Sequence, residues 1–126
     1  MYPTNPVRGE TVGGTEAIIG AWFAAQGGRD RVVLATKVTG AGQSAVRNGA
    51  AISGAALRAA VEGSLARLRT DYIDLYQLHW PNRGSYHFRQ AWHYAPRAAD
   101  RGAVDVHMID VLTAAQALME EGKIRA

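Results

Sequence analysis

The chain has 126 residues, 48% of them hydrophobic and 20% charged, with a net charge of +3 scattered along its length. That is the make-up of one ordinary globular domain, and it calls for no nucleic-acid partner. The absence of cysteine excludes disulfides, thiolate metal sites and cysteine nucleophiles, and fits a cytoplasmic location. The longest apolar stretch, Ala17 to Ala25, falls far short of the roughly 18 residues that cross a bilayer, and the N-terminus lacks the apolar core of a signal peptide.

In chain order, Thr15 is expected to cap a helix running to about Gln26, with Ile18, Ile19, Trp22 and Phe23 at helical spacing and Gly27-Gly28 as its stop. Arg31 to Val38 then reads as a strand, with Lys37 near its C-terminal end in register with Val33 and Ala35. A glycine-rich loop follows and ends at Ser53, the predicted N-cap of a second helix. In that helix Leu57, Ala60, Val61, Ser64, Leu65 and Leu68 form one amphipathic stripe. The next run, Tyr72 to His79, alternates as a strand should and stops at Pro81: Ile73, Leu75, Gln77 and His79 share one face, and Tyr72, Asp74, Tyr76 and Leu78 the other. Residues 80–105 show no sustained period and are expected to be a long loop, in which Arg83, Tyr86, His87, Phe88, Arg89, Trp92, His93, Tyr94 and Arg97 build a pocket wall. A third helix is predicted over roughly Met108 to Glu121, with Ile109, Leu112, Gln116 and Met119 in register and Gly122 as its stop. Lys123 to Ala126 opens a further strand. This alternation of helices and strands is an α/β pattern with parallel strands.

In such folds sites assemble at the carboxyl ends of the strands. Two successive strands here end in chemistry, one in Lys37 and the other in His79. An ammonium can stabilise negative charge developing on oxygen, and a neutral imidazole can donate a hydrogen bond to a carbonyl, so the pair suits polarisation of a C=O group. A proton donor is still needed, and Tyr2 is the candidate. The segment Gly40 to Ala45 formally matches a dinucleotide fingerprint, but no helix opens directly behind it and the match is read as accidental. His87, His93 and His107 lack metal-ligand spacing, so no metal site is expected.

The MYP at residues 1–3, Glu16, Ile19 and Gly20 as E-x-x-I-G, the ATK ending at Lys37, and the run from Ser64 through DYIDLYQLHWP to Pro81 together closely resemble the aldo-keto reductases. The resemblance implies a (β/α)8 TIM barrel of which residues 1–126 form a part, and NADPH-dependent reduction of small aldehydes or ketones to alcohols. It implies that Tyr2 protonates the carbonyl oxygen, that Lys37 lowers the phenol's pKa, that His79 orients the carbonyl, and that Trp80 flanks the substrate pocket. The family's aspartate partner for the lysine and most of its cofactor-binding residues have no counterpart in these 126 residues, so the isolated chain is expected to be an inactive fragment. Its open strand edges favour self-association. The rival expectation is a non-catalytic half-barrel that acts as an interaction or regulatory module.

Overall fold

The computed structural model describes residues 4–6, 8–82 and 100–126. Its main elements alternate: helix α1 (Gly14–Gln26), strand β1 (Ala35–Val38), helix α2 (Gly54–Leu68), strand β2 (Leu75–Leu78) and helix α3 (Arg101–Glu120). The two strands pair in parallel, with Ala35 opposite Leu75, Thr36 opposite Tyr76, Lys37 opposite Gln77 and Val38 opposite Leu78. A parallel bridge from Ile73 to Ile124 begins a third strand position beside β2, where the sequence predicts one.

The apolar stripe of α2 is buried throughout and forms the centre of the core, together with Phe23, Val38, Tyr76, Val111 and Leu118. Ser53 caps this helix as expected, its hydroxyl accepting from the Ala56 N–H at 3.1 Å. On α1 the cap is not Thr15 but Gly13, which takes φ 82. A Cβ at Gly13 would come within 2.4 Å of Arg67 Nε, so glycine is set there by both conformation and space. The E-x-x-I-G pattern has a packing explanation, because Glu16 and Gly20 lie one helical turn apart. Gly20 brings α1 against the end of α2, where a Cβ would stand 2.2 Å from the Arg67 carbonyl oxygen. Glu16 meanwhile accepts from Thr36 Oγ1 at 2.6 Å, Ser64 Oγ at 3.0 Å and Arg67 Nε at 2.7 Å.

Strand β1 is shorter than its predicted span of 31–38. Arg29–Arg31 form a 3-10 turn, and Val33 is 84% exposed. Asp74 accounts for the shortening: one carboxylate oxygen accepts from the Leu34 N–H at 2.9 Å and from Arg29 at 2.8 Å, replacing a backbone rung with a side chain. Its other oxygen pairs with Arg125 at 2.8 Å, and the Tyr72 ring lies beneath both guanidinium groups. The Leu34 N–H bond, opposed by desolvation and reinforced by the two arginines, holds the Asp74 carboxyl below the usual carboxylate range.

Helix α3 starts at Arg101, inside the predicted 80–105 loop, because Asp100 caps it by accepting from the Ala103 N–H at 2.7 Å. Its buried residues are Val111 and Leu118, while Ile109 is 66% and Leu112 55% exposed. The sequence selects the correct helix but the wrong face. Residues 83–99, with the aromatic and basic residues assigned to a pocket wall, lie outside the described residues, as does Tyr2. No helix among the described residues is long and apolar enough to cross a membrane.

Candidate active site

The strand register places the predicted chemistry. Lys37 is opposite Gln77, and His79 lies two residues beyond Gln77, so strand alternation puts Lys37 and His79 on one face. That face is turned away from the helices: Thr36, Val38 and Tyr76, of opposite parity, are the residues buried against them. The His79 N–H donates to the Val38 carbonyl at 2.9 Å, extending the ladder one residue past β2 and fixing the histidine's height beside β1. Groups packed around the imidazole, the Trp80 ring among them at a centroid distance of 4.5 Å, lower the His79 pKa from its ordinary value, and the Lys37 ammonium lowers it further. The neutral imidazole is therefore favoured at neutral pH.

Trp80 is anchored by its indole N–H, which donates to the Ala41 carbonyl at 3.0 Å. The ring lies over Gly40, where a Cβ would come within 2.3 Å of Trp80 Cδ1, so this glycine belongs to the close approach of two loops. His79 and Trp80 open onto a cavity of about 610 Å³ that also includes Ile52, Asn82, Val104 and His107. Lys37 is not among its lining residues. The cavity thus lies on the α3 side of His79.

Two tyrosines among the described residues are eliminated as proton donors by position. Tyr76 points into the helix layer, and burial pushes its phenol up to about 12. Tyr72 is engaged between Arg29 and Arg125. Tyr2 lies outside the described residues.

The loop from Gly40 to Ala45 does not present a phosphate-binding helix end. Helix α2 begins only at Gly54, and two of its first three N–H groups are already engaged: that of Gly54 donates to Asp110 at 2.7 Å, and that of Ala56 to Ser53. Among the described residues the Gly40–Ala45 loop therefore does not fit a dinucleotide's phosphates. Among the described residues no group of three or more His, Asp or Glu side chains is placed to hold a metal ion. What sequence reasoning missed is Asn82, whose side chain fixes the chain just after Trp80. Its only signal was an amide side chain directly after the strand-stopping proline.

The sequence model of the Aldo/keto reductase family matches residues 10–126. Among curated proteins, Protein tas of Escherichia coli K12 is 38% identical over 128 aligned positions, which span 99% of this chain and 36% of that protein. Among solved structures, the holo form of an aldo-keto reductase from Bacillus halodurans superposes with a TM-score of 0.61 at 31% identity, covering 90% of this chain and 31% of the other. An aldo-keto reductase from Klebsiella pneumoniae, determined in complex with NADPH, superposes with a TM-score of 0.54 at 35% identity, covering 90% of this chain and 28% of the other. The chain therefore spans about a third of the length of the relatives it matches. Its parallel strands and intervening helices are part of a (β/α)8 barrel, and the chain belongs to the aldo/keto reductase family.

Proposed function

We propose that residues 1–126 supply part of the active site of an NADPH-dependent reductase that converts small aldehydes or ketones to alcohols. The observation that carries this reading is the placement of Lys37 and His79 on one helix-free face at the exits of adjacent parallel strands. In this reading the neutral His79 imidazole donates a hydrogen bond to the substrate carbonyl, orienting and polarising it. Tyr2 is the general acid, and the Lys37 ammonium stabilises its phenolate and so lowers its pKa from the reference of about 10. Trp80 forms a wall of the substrate pocket. NADPH is the proposed reductant, held by parts of the barrel other than the described residues. The 126-residue chain alone is proposed to be inactive, because the two-stranded sheet with one bridged neighbour found among the described residues does not enclose a barrel site.

A second reading, a non-catalytic half-barrel that binds a partner, is favoured by the exposed apolar residues Ile18 and Trp22 on α1 and Ile109, Leu112 and Met119 on α3. One experiment separates the two. The chain replaces the corresponding third of the Klebsiella pneumoniae enzyme, and NADPH consumption with an aromatic aldehyde is followed. The reductase reading expects activity from the chimera and a loss of at least about 100-fold on Lys37→Met or His79→Gln. A folded chimera whose activity is indifferent to both substitutions would refute it. Turnover by the 126-residue chain alone at ordinary enzyme rates would overturn the proposal that it is inactive.

A further inference from the structure

Beyond His79 the chain leaves the sheet, and the next three residues are held mainly by side chains. Trp80 is tied to Ala41 through its indole N–H. Two residues later the Asn82 amide closes on the backbone of a single residue, accepting from the Ile52 N–H at 2.7 Å and donating to the Ile52 carbonyl at 2.8 Å. A planar amide with one acceptor and one donor edge satisfies both backbone polar groups of that residue with one side chain. The third participant comes from α3: His107 Nε2 lies 2.8 Å from Asn82 Nδ2 and 2.9 Å from the Ile52 carbonyl oxygen. The imidazole accepts from the amide in one tautomer and donates to the carbonyl in the other, so one of the two bonds is made in either form. Asp110, one turn further along α3, accepts from the Gly54 N–H at 2.7 Å, which fastens the same helix to the start of α2.

The exit of β2, the loop before α2 and the first half of α3 therefore meet at one amide. We propose that Asn82, braced by His107, is a positioning residue that sets where His79 and Trp80 stand relative to Lys37. The inference deepens the reductase reading and rests on it for its catalytic meaning. Asn82 lies three residues from His79 and touches no reacting group; it acts through the backbone of Trp80 and Pro81. Alanine would leave both polar atoms of Ile52 without this partner. Aspartate would keep an acceptor for the Ile52 N–H but set an oxygen against the Ile52 carbonyl.

The test is nuclear magnetic resonance on the 126-residue chain without cofactor. His79→Gln identifies the His79 ring signal, and the Trp80 indole N–H is followed by hydrogen exchange. For Asn82→Ala the His79 pKa should move up toward its ordinary value, and exchange of the Trp80 indole proton should accelerate about tenfold. Asn82→Asp and His107→Gln should give smaller changes in the same direction. Leu118→Ala weakens the core at the far end of α3 and should change neither signal. The inference is overturned if folded Asn82→Ala leaves both signals in place, or if Leu118→Ala moves them as much. Should Asn82→Ala fail to fold, Asn82→Asp and His107→Gln are judged by the same criteria. Because no turnover is read, an inactive chimera with these shifts intact would count against the reductase reading and leave the positioning role standing.

Discussion

Helices α2 and α3 were both legible as amphipathic, yet only one buries the face that its sequence advertises. In α2 every residue of the apolar stripe is buried, because α1 docks at one flank, α3 at the other, and β1 beneath. In α3 the residues at helical spacing, Ile109, Leu112 and Met119, remain exposed, and the helix is held instead by Val111 and Leu118. The difference teaches that periodicity reports how many apolar positions a helix carries, whereas the elements beside it decide which of them are covered. A helix with neighbours on both flanks satisfies its whole stripe. One flanked on a single side leaves the remainder open.

The sharpest way to break the comparison is at the tightest contact of α2. Gly20→Ala in α1 would ordinarily stabilise a helix by about 1 kcal/mol. Here the new Cβ meets the Arg67 carbonyl at 2.2 Å and the Leu68 backbone at 2.8 Å, which cannot yield as a side chain can. We expect a net loss of at least about 3 kcal/mol, measured by urea unfolding. Gly63→Ala on α2 meets only the end of the Arg67 side chain, at 3.0 Å, and should cost nothing or stabilise slightly. Equal effects at the two glycines would show that close backbone approach does not set the docking of α1 on α2.

These contacts mark the limit of what was legible. The α2 stripe, the Ser53 cap and the Gly27-Gly28 stop were readable because each depends on residues within one or two turns of chain. The placement of Lys37 and His79 near the ends of successive strands was readable because alternation and strand stops are local, whereas their common face follows from the strand register. The early end of β1 was not, since it depends on Asp74, 40 positions away in sequence from the Leu34 N–H that it takes. The cap at Gly13 was hidden for the same reason, as the space that demands glycine is occupied by Arg67. Asn82 escaped because its partner is the backbone of Ile52 in another loop, and no spacing rule connects the two.

Within α3 the comparison becomes quantitative. Leu118→Ala removes a fully buried side chain and should destabilise the chain by about 2–4 kcal/mol, whereas Leu112→Ala should stay within about 0.5 kcal/mol. Both leucines carry the same side chain on the same helix, so propensity cancels and only burial differs. If both substitutions proved costly, the outward stripe of α3 would be covered in solution, as by a second copy, and sedimentation at several concentrations would then reveal the association.

The smallest effect concerns the polar junction that lies beneath the α2 contacts. Burial works against ionisation of Glu16, but the hydrogen bonds from Thr36 and Arg67 outweigh it and hold the carboxyl below its ordinary value. A carboxyl whose folded pKa is depressed contributes stability that is complete above the unfolded value of about 4.3 and is lost as pH falls through the folded value. Glu16→Gln should therefore cost about 1–2 kcal/mol at neutral pH. The gap between the two proteins should close as the pH is lowered from about 5. The variant should still lose stability in acid, because Asp74 is depressed in the same direction by separate partners. A gap that stays constant down to the acid transition would mean that Glu16 holds α1 to α2 by shape alone. The charge-assisted bond to Arg67 would then contribute nothing to the docking that Gly20 makes possible.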